Sequence, residues 1–203
     1  VINDHAQARQ AVNEQTEMAL LLAGPVLLAM ITLAPWVIHL LYAASFAPAT
    51  EVLRWQMLGD ILKVASWPMG FILVAMGRGG IFIATELAWN AAYLGSLILG
   101  IPEWGLVSAG VSFWFAYVIL YAVVVLVASR LIGYKPERRN WVFMLQLLLA
   151  GGLIVYVATQ SVELSFGIGL LATMVAGVFS LRRLDNLVDA RGWVRRKLGA
   201  RHE

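Results

Sequence analysis

Asp60 and Lys63 stand in the middle of the apolar stretch FAPATEVLRWQMLGDILKVASWPMGF, residues 46–71. On a helix, Gln56, Asp60, Lys63 and Trp67 fall at i, i+4, i+7 and i+11, which is one continuous face. In the next apolar stretch Glu86, Asn90 and Tyr93 repeat the first three steps of that spacing, and Thr85 and Ser96 widen the face. A charge at membrane depth costs on the order of 3 kcal/mol on insertion scales, so residues of this kind face a cavity or one another. Two readings follow for Asp60 and Lys63. Three residues apart, they can neutralise each other inside a helix bundle and fix its packing. Alternatively they line an aqueous path and handle an anionic or proton-linked substrate, a reading favoured by the continuation of the polar stripe beyond the pair. Counted at ~1.5 Å per residue from the GRGG turn, residues 77–80, Lys63 lies roughly 20 Å deep and Glu86 about 9 Å, so those two are not expected to pair. Arg54 sits at the far mouth of the same stretch, where snorkelling and attraction of substrate explain it equally well. His39 reads as an interfacial residue.

Other chemistries are excluded by composition. The chain has no cysteine, which removes thiolate metal sites, disulfides and cysteine nucleophiles. His5, His39 and His202 lie far apart with no carboxylate at ligand spacing, so no metal and no cofactor is expected. GRGG lacks the Lys-Ser/Thr of a phosphate loop, and no nucleophile elbow or catalytic carboxylate pair is present, which argues against an enzyme. The net charge of +3 resides in loops and a tail rather than along an aromatic face, a pattern of membrane orientation and not of nucleic-acid binding.

The elements that must position the polar stripes are membrane helices. Of 203 residues, 61% are hydrophobic and only 13% charged, about half the charge of a soluble domain. Hydropathy predicts an all-α polytopic bundle with spans near 18–42, 53–76, 81–99, 105–130, 141–160 and 164–181, each able to hold the ~20 apolar residues that cross a bilayer. Short links of turn residues, AASFAPATE, GRGG, GIPEW, IGYKPERRN and QSVE, make consecutive helices antiparallel neighbours. Pro25, Pro35 and Pro68 fall inside spans and favour kinks. Of the 15 Lys and Arg, all but Arg54 and Lys63 fall on one side of this arrangement, which places both ends in the cytoplasm. Trp36, Tyr42, Trp104, Tyr134 and Trp141 fall at span ends, as an aromatic belt does. The expected organisation is a cytoplasmic loop over 1–17, four spans over 18–132, an additional pair over 133–181 and a basic cytoplasmic tail over 182–203. In that tail Leu181, Leu184 and Val188 stand at helical spacing between arginines, suited either to the anionic inner leaflet or to solvent. With the polar opening VINDHAQARQAVNEQTE carrying neither Met nor signal pattern, the chain reads as the C-terminal part of a longer protein.

The run WQMLGDILKV, residues 55–64, resembles the polysaccharide branch of the multidrug, oligosaccharidyl-lipid and polysaccharide exporters. The likeness is to O-antigen translocases and to flippases for the lipid-linked repeat unit of enterobacterial common antigen, where a similar run lies in the tenth helix. It includes the approach Phe46, Ala49 and Leu53, then ATEL at 84–87, GLVSAG at 105–110 and YVILY at 117–121, and covers residues 46 to about 128. The resemblance implies that the first four spans correspond to helices nine to twelve, part of the C-terminal lobe of a two-lobed, alternating-access transporter with a central cationic cavity. The N-terminal lobe would then be a missing partner. Trp67-Pro68 and the last two spans depart from the twelve-helix members, which puts the glycan carried in doubt. The implied activity is a flippase in the bacterial inner membrane that moves an undecaprenyl-pyrophosphate-linked oligosaccharide, an O-antigen or related repeat unit, between leaflets. The implied partners are that lipid-linked oligosaccharide, membrane lipid and the glycan polymerase machinery. Under this resemblance Lys63 meets phosphate or sugar, and Asp60 sets its charge or takes a coupling proton. Gln56 and Asn90 bond sugar hydroxyls, Trp55 or Trp67 stacks on a ring, and Glu86 lies on the inward-facing part of the cleft. The alternatives are a multidrug or small-solute exporter of the same superfamily and a non-transporting membrane scaffold of glycan assembly.

Overall fold

A computed structural model describes residues 4–188, and the described residues are all-helical, with no strand. The first helix, α1, covers His5–Leu41 and is 37 residues long. It begins where the Asp4 carboxylate accepts from the backbone N–H groups of Ala6 (2.8 Å) and Gln7 (3.3 Å), an N-cap that satisfies donors the helix cannot. Residues 5–17, expected as a loop, are therefore helix. The expectation failed because polarity at this point reflects a buried polar contact rather than solvent: Ala8, Val12, Asn13, Thr16 and Glu17 are all buried. A short 3-10 turn at Ala44–Phe46 leads into α2, Ala49–Ala75, which carries Pro68 internally. Then come α3, Gly79–Trp104, and, after a 3-10 turn at Gly105–Val107, α4, Ser108–Ile132. The described residues end in α5, Arg138–Ala158, and α6, Val162–Val188.

Among the described residues, five apolar helical segments are long enough to cross a membrane, and the longest, Gly79–Ile132, has 54 residues. At ~1.5 Å per residue it would measure roughly 80 Å, well over the ~30 Å hydrocarbon thickness, so it cannot be one crossing. It is α3 and α4 folded back along each other. The reversal falls at Gly105, whose φ of 53° suits glycine, and not at the expected GIPEW link, which is the last turn of α3. Pro102 is accommodated within that helix end. At the other end α6 continues to Val188, so residues 182–188, expected as tail, extend the last helix. The rest of the expected tail, with Arg191, Arg195, Arg196, Lys197 and Arg201, lies outside the described residues.

Helix α1 packs along α2, α5 and α6, and α2 packs on α1, α4 and α5. Lipid tails are as apolar as leucine, so this core is held by close packing and by polar contacts more than by the hydrophobic effect. Leu20, Leu28 and Ile31 of α1 meet Ile61, Ala65 and Met69 of α2, with Leu147 and Ile154 of α5 behind them. Small residues bring backbones together: a Cβ on Gly110 of α4 would stand 2.7 Å from the Val52 carbonyl oxygen of α2. Helix α3 is peripheral. It buries only Thr85 and Gly100, packs mainly on α4 and touches α2 sparingly. Large apolar side chains such as Leu22, Leu99, Leu149 and Leu171 point outward, as a lipid-facing surface requires.

One end of the bundle is tied by polar groups. Asn13 accepts from the Glu137 N–H (2.9 Å) and donates to the Arg9 carbonyl (3.2 Å) and the Lys135 carbonyl (3.3 Å). Asn140 donates to the Asn13 carbonyl (2.8 Å), and the Arg9 guanidinium donates to the Ile132 carbonyl (3.0 Å). The buried Glu17 carboxylate accepts from Arg183 Nε of α6 at 2.9 Å and from Arg139 of α5. Arg9, Arg139 and Arg183, which the charge count put on one side, thus meet at one end. Tyr134, in the loop between α4 and α5, is buried there, and that burial together with the nearby Glu137 charge pushes its hydroxyl up to about 12.

Candidate functional site

The polar face of α2 is built as its spacing predicts, and α4 supplies what the spacing could not. Lys63 Nζ lies 3.3 Å from Asp60 Oδ1, an ion pair on consecutive turns. Its ammonium is also surrounded by three aromatic rings, with centroids at 5.9 Å for Trp67, 5.7 Å for Phe113 and 5.8 Å for Tyr117. Phe113 and Tyr117 stand one turn apart on α4, which holds them against α2. Each ring face offers a cation roughly 0.5–1 kcal/mol at exposed sites and about 2 when desolvated. Asp60 Oδ1 is buried with no hydrogen-bond donor aligned on it, so Lys63 is its charge partner without being a good hydrogen bond. The Lys63 side chain remains 32% exposed and that of Asp60 19%, so the pair is only partly covered by the bundle.

The aromatic wall continues onto α3. Trp89 lies 5.2 Å from Tyr117 and 6.1 Å from Phe113, and it stacks on Tyr93 at 5.6 Å with the planes 3° apart. Where α2 and α3 part, a cavity of about 190 Å³ opens, lined by Glu86 with Ser66, Trp67, Thr85 and Tyr117. Ser66 Oγ donates to the Lys63 carbonyl (2.7 Å) and Thr85 Oγ1 to the Phe82 carbonyl (2.7 Å), so both hydroxyl oxygens still have lone pairs to offer. Glu86 and Lys63 do not pair. Trp67 and Tyr117 are shared between them, lining the Glu86 cavity and standing beside the Lys63 ammonium.

The other expected residues do not line that cavity. Gln56 is half-buried on the same face of α2, one turn before Asp60. Asn90 is exposed, and its amide donates to the Glu86 carbonyl of its own helix (2.8 Å). Arg54 does not snorkel. It is 3% exposed, pairs with Glu51 at 2.6 Å and leaves Nε without a partner. The reason is angular: Arg54, Ile61, Ala65 and Ile72 share the buried side of α2, opposite the polar stripe.

The site thus joins Asp60, Lys63, Trp67 and Glu86 with Phe113, Tyr117 and Trp89, of which the last three were missed. Their signal was present as pairs one turn apart, Phe113 with Tyr117 and Trp89 with Tyr93. In an apolar run such pairs read equally well as lipid-facing. No group of metal ligands occurs among the described residues. The arrangement can hold an anion at Lys63, stack a planar or pyranose ring, or accept a cation between its carboxylates and rings.

No protein-family model, curated protein or solved structure matches this chain in comparisons with each. Fold and site together define a multi-pass helical membrane protein with a charged, aromatic-walled cleft on one open face.

Proposed function

We propose that this chain is one lobe of a flippase that moves a polyprenyl-pyrophosphate-linked oligosaccharide across a bacterial inner membrane. The observation that carries the reading is the Asp60–Lys63 pair set among Trp67, Phe113 and Tyr117 on the loosely packed side of α2 and α3. A pyrophosphate-sugar headgroup cannot cross hydrocarbon unaided, because stripping its water leaves buried charge unpaired. A half-exposed ammonium with aromatic walls suits both parts of such a headgroup: Lys63 meets phosphate while Trp67 stacks on a sugar ring. Asp60 holds the Lys63 side chain in place when the cleft is empty, and Glu86 accepts hydroxyl donors at the end nearer the α2–α3 turn. A second lobe of the full-length protein faces this cleft, and the arginine-rich end lies in the cytoplasm by the positive-inside rule.

The test is Lys63→Ala in the full-length protein, read as glycan reaching the outer leaflet at matched protein level in the membrane. Loss of export is expected, and full export removes Lys63 from the mechanism. A second reading, export of organic cations, is favoured by the two carboxylates and the five rings of the cleft. It predicts the opposite sign for the same variant, since removing the ammonium frees an aromatic cation site and tightens binding of a quaternary ammonium probe.

A further inference from the structure

We infer that the groove between α4 and α5 is a binding site for an anionic phospholipid of the leaflet at the arginine-rich end. The site is distinct from the Lys63 cleft and does not rest on the transport reading. Helices α4 and α5 do not pack along each other. Helix α2 packs on both and forms the floor between them. Two adjoining hollows of about 470 and 690 Å³ result, sharing Tyr121, Ala122 and Trp141 as walls. The deeper one is floored by Leu58 and Leu62 and runs along α5 past Leu148 to Gly152. From Arg138 to Gly152 is roughly 21 Å of helix, which spans the ~15 Å of one leaflet's hydrocarbon and the headgroup level above it. Such a groove fits an acyl chain lying parallel to the helices.

Its mouth selects the headgroup. Arg138 lines the shallower hollow together with Ser129, and its guanidinium makes no hydrogen bond or ion pair among the described residues. The segment 130–139 carries Arg130, Lys135, Arg138 and Arg139 against the single carboxylate of Glu137. That carboxylate turns to Arg139 at 3.3 Å, and Arg139 is further engaged by Glu17. Arg130, Lys135 and Arg138 are left without side-chain partners among the described residues. Helix α5 begins beside them with no side-chain cap on its first N–H groups, which adds partial positive charge at the same level. A phosphodiester held by Arg138, with one tail between Tyr121 and Trp141, satisfies the charge and fills the apolar hollow together.

The experiment is native mass spectrometry of the full-length protein extracted from bilayers of equimolar phosphatidylglycerol and phosphatidylcholine. One phosphatidylglycerol retained per chain, at least tenfold over phosphatidylcholine, is expected. Arg138→Glu should abolish that preference, and Ala122→Trp, which fills the shared wall, should reduce retention of both lipids. Because Arg138 is exposed, its variant tests the headgroup even if Ala122→Trp fails to fold. Equal retention of the two lipids, or an unchanged preference in Arg138→Glu, overturns the inference. Displacement by millimolar glycerol 3-phosphate would assign a free-phosphate site and overturn it as well. A lipid-free dimer abolished by Ala122→Trp would give the groove to a second copy of the chain.

Discussion

Replacing Glu17 with Ala should loosen the arginine-rich end of the bundle by a measurable amount. Glu17 is 7% exposed and bridges three helices, accepting from Arg183 at 2.9 Å and from Arg139. A hydrogen bond to a charged group contributes about 1.5–3 kcal/mol net. Both arginines can return to water, being 30% and 45% exposed, so solvent screening brings each contribution down to about 1–1.5 kcal/mol. The loss is then on the order of 2–3 kcal/mol for the pair, less than the ~3–5 kcal/mol of breaking a fully buried ion pair. For a chain of this size it corresponds to a Tm lower by roughly 5–10 °C. Glu17→Gln, which keeps an acceptor of the same shape, should lose about half as much. The assay is thermal unfolding in detergent, followed by size-exclusion recovery, for Glu17→Ala, Arg139→Ala, Arg183→Ala and the double variants. The double variants that include Glu17 should fall short of additivity, because Arg183 loses its partner and Arg139 its closer one when Glu17 goes. An unchanged Tm in Glu17→Ala, or strict additivity, would refute the reasoning.

Two further predictions concern the cleft and the loop. Asp60→Asn should abolish transport, and adding Lys63→Gln should not restore it; restoration would make the pair a packing device that neutralises itself. Burial raises the Tyr134 hydroxyl to about 12 against an ordinary value near 10. The folded form then holds its proton more tightly than the unfolded form, so its contribution is complete below about pH 10 and lost as pH rises toward 12. Tyr134→Phe should therefore flatten the stability loss over that window relative to the parent. Identical alkaline profiles for the two proteins would contradict the burial argument.

How far the sequence could be read follows from what periodicity measures. The spacing of Gln56, Asp60, Lys63 and Trp67 named a face of α2 correctly because all four lie on one helix. Arg54 lies on the opposite face by the same arithmetic, yet its position near a span end suggested an interface and concealed its burial. Hydropathy reports where lipid can be and not where a helix starts, so the polar residues 5–17 passed for a loop although Asp4 caps a helix there. Glu17, Arg139 and Arg183 are far apart in the chain, and only the packing of α1, α5 and α6 brings them together. Phe113 and Tyr117 required the register of α4 on α2, set by the Gly59 and Gly110 contacts, before they could be placed around Lys63.

The central claim is that the Asp60–Lys63 face of α2 is wetted and meets substrate, rather than being a self-neutralised contact inside the bundle. The absence of cysteine from this sequence makes the measurement clean. Single cysteines at Lys63, Trp67, Leu22 and Leu171 are introduced into the full-length protein, with any cysteines elsewhere replaced, and treated in sealed vesicles with a membrane-impermeant maleimide. The account predicts labelling at positions 63 and 67 and none at the outward-facing positions 22 and 171. Positions 63 and 67 as unreactive as 22 and 171 would place the pair out of water and contradict the account.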